Sequence, residues 1–190
     1  MVAMNGSMQN PFMSRRFFAV TACLALAGCA HYFEPMGGAT AKLRFVSLPG
    51  SKTEIHELSD TECAGNNAGA IATVGLGVTG GKNQGRSQGM PLQETVQRPT
   101  ASETVIRAGK PFAARLQAAR APGPRGANWS YESCAKSFVI NAREGEFYEA
   151  QLEQYHNGCV INVFRISRER DGSYVRRVAD NARELKTRCN

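Results

Sequence analysis

Beyond about residue 40, apolar and polar positions alternate with a period of two. In "KLRFV", Leu43 and Phe45 face one way and Lys42 and Arg44 the other. In "KPFAARLQA", Phe112, Ala114 and Leu116 alternate with Ala113, Arg115 and Gln117. In "YEAQLEQY", Tyr148, Ala150 and Leu152 alternate with Glu149, Gln151 and Glu153. Each pattern predicts a half-buried strand with one face on a core. "CVINVFRI" is apolar on both faces and reads as a central strand. "LPGSK", "RAGKP", "REGEF", "HNGC" and "RDGSY" are turn signals between these runs, and Asn157-Gly158 and Asp171-Gly172 are the strongest. About seven or eight short strands at this spacing argue for an all-β chain folded as an antiparallel sandwich. Helical periodicity is weak everywhere, with room for a turn or two in "ADNARELKTR".

Two segments depart from the alternation. Residues 64–103 hold eight glycines up to residue 90, and each costs backbone entropy in a packed helix. Val74, Leu76 and Val78 alternate there with Gly75 and Gly77, as a glycine-lined strand or hairpin arm would. The plain expectation for so long a segment is a mobile excursion; a binding loop or partner-dependent hairpin is the alternative. "GLGVTGGKN" fails as a P-loop, because Leu76 stands where the first glycine is required and Asn83 where Ser or Thr is.

The second departure is "RRFFAVTACLALAGCAHYFEP", residues 15–35. Arg15 and Arg16 precede an apolar run, Phe17 to Ala27, that fits a signal peptide and falls short of the roughly 20 residues of a spanning helix. Leu26-Ala27-Gly28-Cys29 resembles the lipobox of bacterial lipoproteins. The resemblance implies cleavage between Gly28 and Cys29, a diacylglycerol thioether on Cys29 and acylation of its new amino group. Two or three acyl chains hold far better than one, at roughly 0.8 kcal/mol per buried methylene. An ordinary secretory signal with an incidental cysteine, like Cys23 nearby, is the competing reading. Ala30, in the place where Asp retains lipoproteins in the inner membrane, implies delivery to the outer membrane, facing the periplasm. "SRRFF" partly resembles a twin-arginine export motif, against a generic basic start on the general secretory route. Met13 is the favoured start among Met1, Met4, Met8 and Met13. The expected organisation is a signal peptide at 1–28, a lipidated tether at 29–40 and one sandwich domain at 41–190.

Cysteine use fits that compartment. Cys63, Cys134, Cys159 and Cys189 remain in the mature chain, an even number in an oxidising envelope. Three pairings are available. The favoured one joins Cys134 to Cys159, on flanking strands of one strand–turn–strand–turn–strand unit, and Cys63 to Cys189. No pair is spaced C-x-x-C and only three histidines exist, which argues against a zinc site or any other metal or cofactor.

The search for chemistry yields no constellation. His31 falls in the tether, His56 in a predicted strand and His156 at a turn; none accompanies a nucleophile. Glu144 and Glu146 flank Gly145 as a carboxylate pair would, but read as a solvated hairpin tip. The chain is therefore not expected to be an enzyme. Charge is the remaining lever. The net charge of +7 falls to about +5 once Arg15 and Arg16 are removed. Arg165, Arg168, Arg170, Arg176, Arg177, Arg183, Lys186 and Arg188 crowd the C-terminal quarter, interleaved with Glu169, Asp171, Asp180 and Glu184. They form either a patch for anionic lipid or an acidic protein, or a solvated strand face. An envelope address excludes nucleic acid.

The order "AGKP" (Ala108 to Pro111), Cys134, Phe138, then Gly145, Tyr148, Glu149 and Ala150, then Cys159 resembles small proteobacterial envelope lipoproteins. It covers about 60 of the 190 residues. It implies a disulfide-bonded β-sandwich and says little about activity. The expected role is a membrane-anchored binding or scaffold module for an envelope partner. The alternatives are a periplasmic immunity or inhibitor protein against a toxin or lysozyme-like enzyme, and a lipid or glycan carrier.

Overall fold

The computed structural model describes residues 32–47, 50–75, 81–91, 100–120, 133–155 and 158–186. Ten strands run through them: β1 (Thr40–Val46), β2 (Ser51–Leu58), β3 (Asn67–Gly75), β4 (Ala101–Arg107), β5 (Pro111–Arg120), β6 (Ser133–Asn141), β7 (Phe147–Tyr155), β8 (Gly158–Arg168), β9 (Tyr174–Val178) and β10 (Ala182–Glu184). They form two five-stranded sheets, ordered β4-β1-β7-β8-β9 and β10-β6-β5-β2-β3. The class is the all-β sandwich that the alternation predicts, with ten strands rather than seven or eight. One pair departs from the antiparallel rule: β1 and β7 run parallel, with Arg44 opposite Glu149.

The alternation places the core. Leu43 and Phe45 from β1, Leu116 from β5, and Tyr148, Ala150 and Leu152 from β7 point inward and are fully buried. Ile55, Ile71, Val74, Ile106, Phe138 and Ile140 join them in one cluster drawn from both sheets. Each large apolar side chain contributes roughly 1.5–3 kcal/mol on burial. β8 is internal to its sheet, flanked by β7 and β9, as its two apolar faces suggest.

The turn signals are real, but they do two different jobs. Asp171-Gly172 stands between sheet neighbours, in the connection β8–β9, and Gly158 opens β8 beside β7, while Asn157 lies outside the described residues. "RAGKP" and "REGEF" instead carry the chain from one sheet to the other, β4 to β5 and β6 to β7. Gly109 and Gly145 in these arches have φ near +71° and +74°, the left-handed region that favours glycine. Glu144 and Glu146 therefore sit on an arch, not a hairpin tip. For the same reason Cys134 and Cys159 lie on strands of opposite sheets, β6 and β8, rather than in one continuous three-stranded unit.

Three sequence expectations are revised. The glycine-rich excursion contains β3, paired to β2 from Lys52↔Gly75 to Leu58↔Asn67. "ADNARELKTR" supplies no helical turn within the described residues; it supplies β10, which pairs Ala182↔Ile140 and Glu184↔Phe138. The segment read as a tether is irregular from Tyr32 onward but is fastened to the sandwich.

Candidate functional site

Two features distinguish this sandwich. The first is a row of charges under a strap. Arg44 lies on the outer face of β1, opposite Glu103 of β4 and Glu149 of β7. Sheet order thus sets an acid–base–acid row from three strands distant in sequence. Arg44 is 1 % exposed and Glu149 0 %, although both point away from the core. Residues 82–91 cover this part of the face. Arg44 donates to Glu103 Oε1 from Nε (3.1 Å) and NH2 (2.7 Å), to Glu149 Oε2 from NH1 (3.3 Å), and to the Pro91 carbonyl (2.7 Å). Glu103 Oε2 accepts from the amides of Gln88 (2.5 Å) and Met90 (3.2 Å). Lys42 Nζ adds a bond to the Gln88 carbonyl (2.5 Å). Burial pushes the Glu103 carboxyl up, but the Arg44 guanidinium and the Gln88 and Met90 amides outweigh it and hold it below its ordinary value.

Arg176 of β9 completes the row. Its NH2 lies 2.9 Å from Glu149 Oε1 without an aligned hydrogen bond, and donates to Gln151 Oε1 at 3.0 Å. Its guanidinium stacks 4.0 Å over the Phe164 ring. Two carboxylates and two guanidiniums balance. Both carboxylates face cations, and Glu103 also holds two strap amides, so the row works as a clasp for the strap.

The second feature is a stitched side. β3 and β4 end their sheets on the same side of the sandwich, and exposed edges are pairing hazards. Here they are closed by the chain's own segments. On β3, the Thr73 amide donates to the Lys82 carbonyl (2.8 Å), while Asn83 Nδ2 and Gln84 Nε2 donate to the carbonyls of Ile71 and Gly75. On β4, the Gly85 amide donates to the Ala101 carbonyl, and the Glu103 amide to that of Arg86. Tyr32 joins the two edges. Its amide donates to Ala70 of β3 (3.4 Å) and its hydroxyl to the Val105 carbonyl of β4 (2.7 Å). Its ring packs edge-on against Phe112 at 5.8 Å. Burial, helped by Glu57 and Glu34, pushes its phenol far above the ordinary value and keeps it a donor. Glu34 accepts from Arg86 (2.6 Å), Thr104 (2.8 Å) and the Val105 amide (3.0 Å). The "mobile excursion" and the "tether" are thus the two segments that seal this side.

The residues singled out in the sequence fare unevenly. Gly28 and Cys29 lie outside the described residues, as do His31, His156 and Cys189. Cys134 and Cys159 form a disulfide across the sandwich, with Cα atoms 6.2 Å apart. Cys63 is also disulfide-bonded. Its neighbour Ala64 donates to the carbonyl of Lys186, three residues before Cys189. His56 lies on β2, with Nε2 4.0 Å from Glu54. Glu146 accepts from the Tyr148 hydroxyl and pairs with Arg165 at 3.5 Å, so it makes no dyad with exposed Glu144. Much of the C-terminal basic crowd is ion-paired: Arg165 with Glu146, Arg176 with Glu149, Arg177 with Glu169, and Arg183 with Glu62. A surface cleft of about 290 Å³ on the second sheet is lined by Arg115, Lys136 and Glu184 among others. Its charges are spent too: Lys136 pairs with Glu184 at 2.6 Å, and Arg115 donates to the Ala64 and Gly65 carbonyls. Among the described residues no His, Cys, Asp and Glu side chains group to hold a metal ion.

Sequence reasoning missed the charge row and the stitched side. Arg44 and Glu149 show only as outward polar residues in strands, Glu103 falls at the end of the segment read as an excursion, and nothing local says that the three meet. Compared with known protein families, curated proteins and solved structures, the chain matches none.

Proposed function

We propose that this chain is a lipid-anchored lipoprotein of the bacterial envelope whose sandwich is a rigid docking module for an envelope protein. The lipobox at Leu26 to Cys29 supplies the anchor, and Ala30 directs it to the outer membrane, facing the periplasm. The Cys134–Cys159 disulfide agrees with an oxidising compartment. Cys63 and Cys189 form the second bond in this reading. The fold needs no cofactor for this role, and no residue is assigned a catalytic one.

The observation that carries the docking role is the contrast between the edges. β3 and β4 are closed by the chain itself. β9 has a strand partner on one side only among the described residues, and its outward face carries exposed Tyr174 and Val178, the latter 76 % exposed. An edge strand with apolar side chains suits strand addition by an extended segment of a partner. The packed interior supports this role over that of a carrier, which would need an internal cavity. An immunity or inhibitor protein remains a special case of docking, distinguished by a tight one-to-one complex.

In-cell photocrosslinking from Val178 tests the reading. One dominant envelope partner, lost on moving the crosslinker to Glu153 of β7, is the expected result. A diffuse set of abundant envelope proteins at both positions would overturn it.

A further inference from the structure

The stitched side leaves two apolar side chains pointing outward. Tyr32 and Glu34 are fixed to the edges of β3 and β4, so Phe33 between them is left outward, and Met36 stands clear of the sandwich two residues beyond Glu34. Phe33 is 84 % exposed and Met36 99 % exposed. They are two of the four exposed large hydrophobic residues among those described, and both lie within seven residues of Cys29. Neither belongs to a loose tether, because Tyr32 bonds to both sheets and Glu34 makes three contacts with Arg86, Thr104 and Val105.

Distance then constrains what these side chains meet. Tyr32 is the third residue after Cys29. Whatever the conformation of the intervening chain, their Cα atoms are at most about 11 Å apart. A lipid on Cys29 therefore holds this side of the sandwich against the bilayer, with no linker to let the domain turn away. Cations frame the same end. Arg107 reaches to within 3.8 Å of where a Cβ on Gly38 would stand. Exposed Lys110 follows on the arch that Ala108 fastens to Ala39 through a 2.9 Å backbone bond. Of the carboxylates on neighbouring segments, Glu34 is bonded to Arg86, Glu57 is half-buried and Glu146 pairs with Arg165, which leaves exposed Glu144 on the arch that Gly145 bonds to Thr40.

We infer that Phe33 and Met36, flanked by Arg107 and Lys110, form a membrane seat that enters the lipid interface and fixes the orientation of the sandwich on the bilayer. The occupant is a phospholipid surface. Apolar side chains held at such a surface enter about 5–10 Å, and cations beside them attract anionic headgroups. This inference rests on the lipid anchor at Cys29. It adds that the domain lies in one orientation, with the stitched side down and the β9 edge presented away from the anchor.

The test uses the lipidated protein in vesicles of phosphatidylethanolamine and phosphatidylglycerol carrying lipids brominated near the headgroup. Tryptophan is introduced by Phe33→Trp, by Met36→Trp and, as a control on β9, by Tyr174→Trp. The unsubstituted protein, whose one tryptophan is Trp129, supplies the background. Phe33 and Met36 are exposed, so neither substitution disturbs the core. Quenching several-fold stronger at positions 33 and 36 than at 174 is the expected result. Equal quenching at all three positions on protein whose lipid has been verified by intact mass would overturn the seat while leaving the anchor in place. A mature chain without lipid would overturn the anchor, and the seat with it. Protection of both positions within a stable dimer, without quenching, would assign the surface to a second copy and reject the bilayer.

Discussion

Arg44 and Glu103 face each other across β1 and β4, and the Glu103 carboxylate is shared between Arg44 and the strap. One oxygen of Glu103 takes the guanidinium and the other takes two amides of the strap, from Gln88 and Met90. The same side chain therefore neutralises a buried cation and holds a segment that has no strand of its own.

Removing one partner leaves the other charge buried and alone. Arg44→Met is expected to cost about 3–5 kcal/mol, the range for breaking a buried pair. Because the strap loses its clasp, residues 82–91 should become the first site of limited proteolysis. Denaturant unfolding and mass mapping of the first cuts check both points. A loss under 1 kcal/mol, on the order of an exposed pair, would contradict the burial argument.

Acid should loosen the same clasp. The Glu103 carboxyl is held below its ordinary value of 4.5, so its contribution is fully present above that value. It is lost as the pH falls through the lower folded value. Glu103→Gln should lower stability near neutral pH and flatten the acid limb of a stability–pH curve. An unchanged acid limb would mean that other carboxyls carry it.

Gly75 is irreplaceable for a geometric reason. Its φ is +136°, and a Cβ there would stand 2.1 Å from the Ser51 carbonyl oxygen and 3.0 Å from the Lys52 Cα. Gly75→Ala should cost on the order of 1–3 kcal/mol through backbone strain alone, and the clash adds to it. Thermal unfolding beside Gly109→Ala, where nothing stands within 4 Å of the added Cβ, separates the clash from the strain.

The cross-sheet disulfide closes a loop over a sequence separation of 25. Cys134→Ser should cost about 2–4 kcal/mol, chiefly by freeing the denatured chain. Peptide mapping of unreduced protein should recover Cys134 linked to Cys159 and Cys63 linked to Cys189. Recovery of Cys189 as a free thiol would contradict the second pairing.

The sequence made the strands legible because a two-residue period needs only local information. Phe112, Ala114 and Leu116 turn inward as their spacing says, and so do Tyr148, Ala150 and Leu152. Which sheet a strand joins was not legible. A glycine turn such as "RAGKP" looks the same whether it closes a hairpin or arches over the core. The glycine-rich segment misled for a related reason. Its first part is β3, whose partner is β2, and its residues 82–86 bond to the outer edges of β3 and β4, which exist only once the sheets are assembled. The row from Glu103 through Arg44 to Glu149 needs register between β1 and β7, whose residues 44 and 149 are 105 apart in sequence. No window along the chain contains that information.

The central claim is a sandwich fixed to the envelope membrane through Cys29. Intact-mass spectrometry of the protein purified from the envelope fraction tests it most directly. The account predicts a chain beginning at Cys29, heavier than its polypeptide by a diacylglyceryl group with or without a further acyl chain. A chain cleaved elsewhere, or beginning at Met13 with no added lipid, would contradict it.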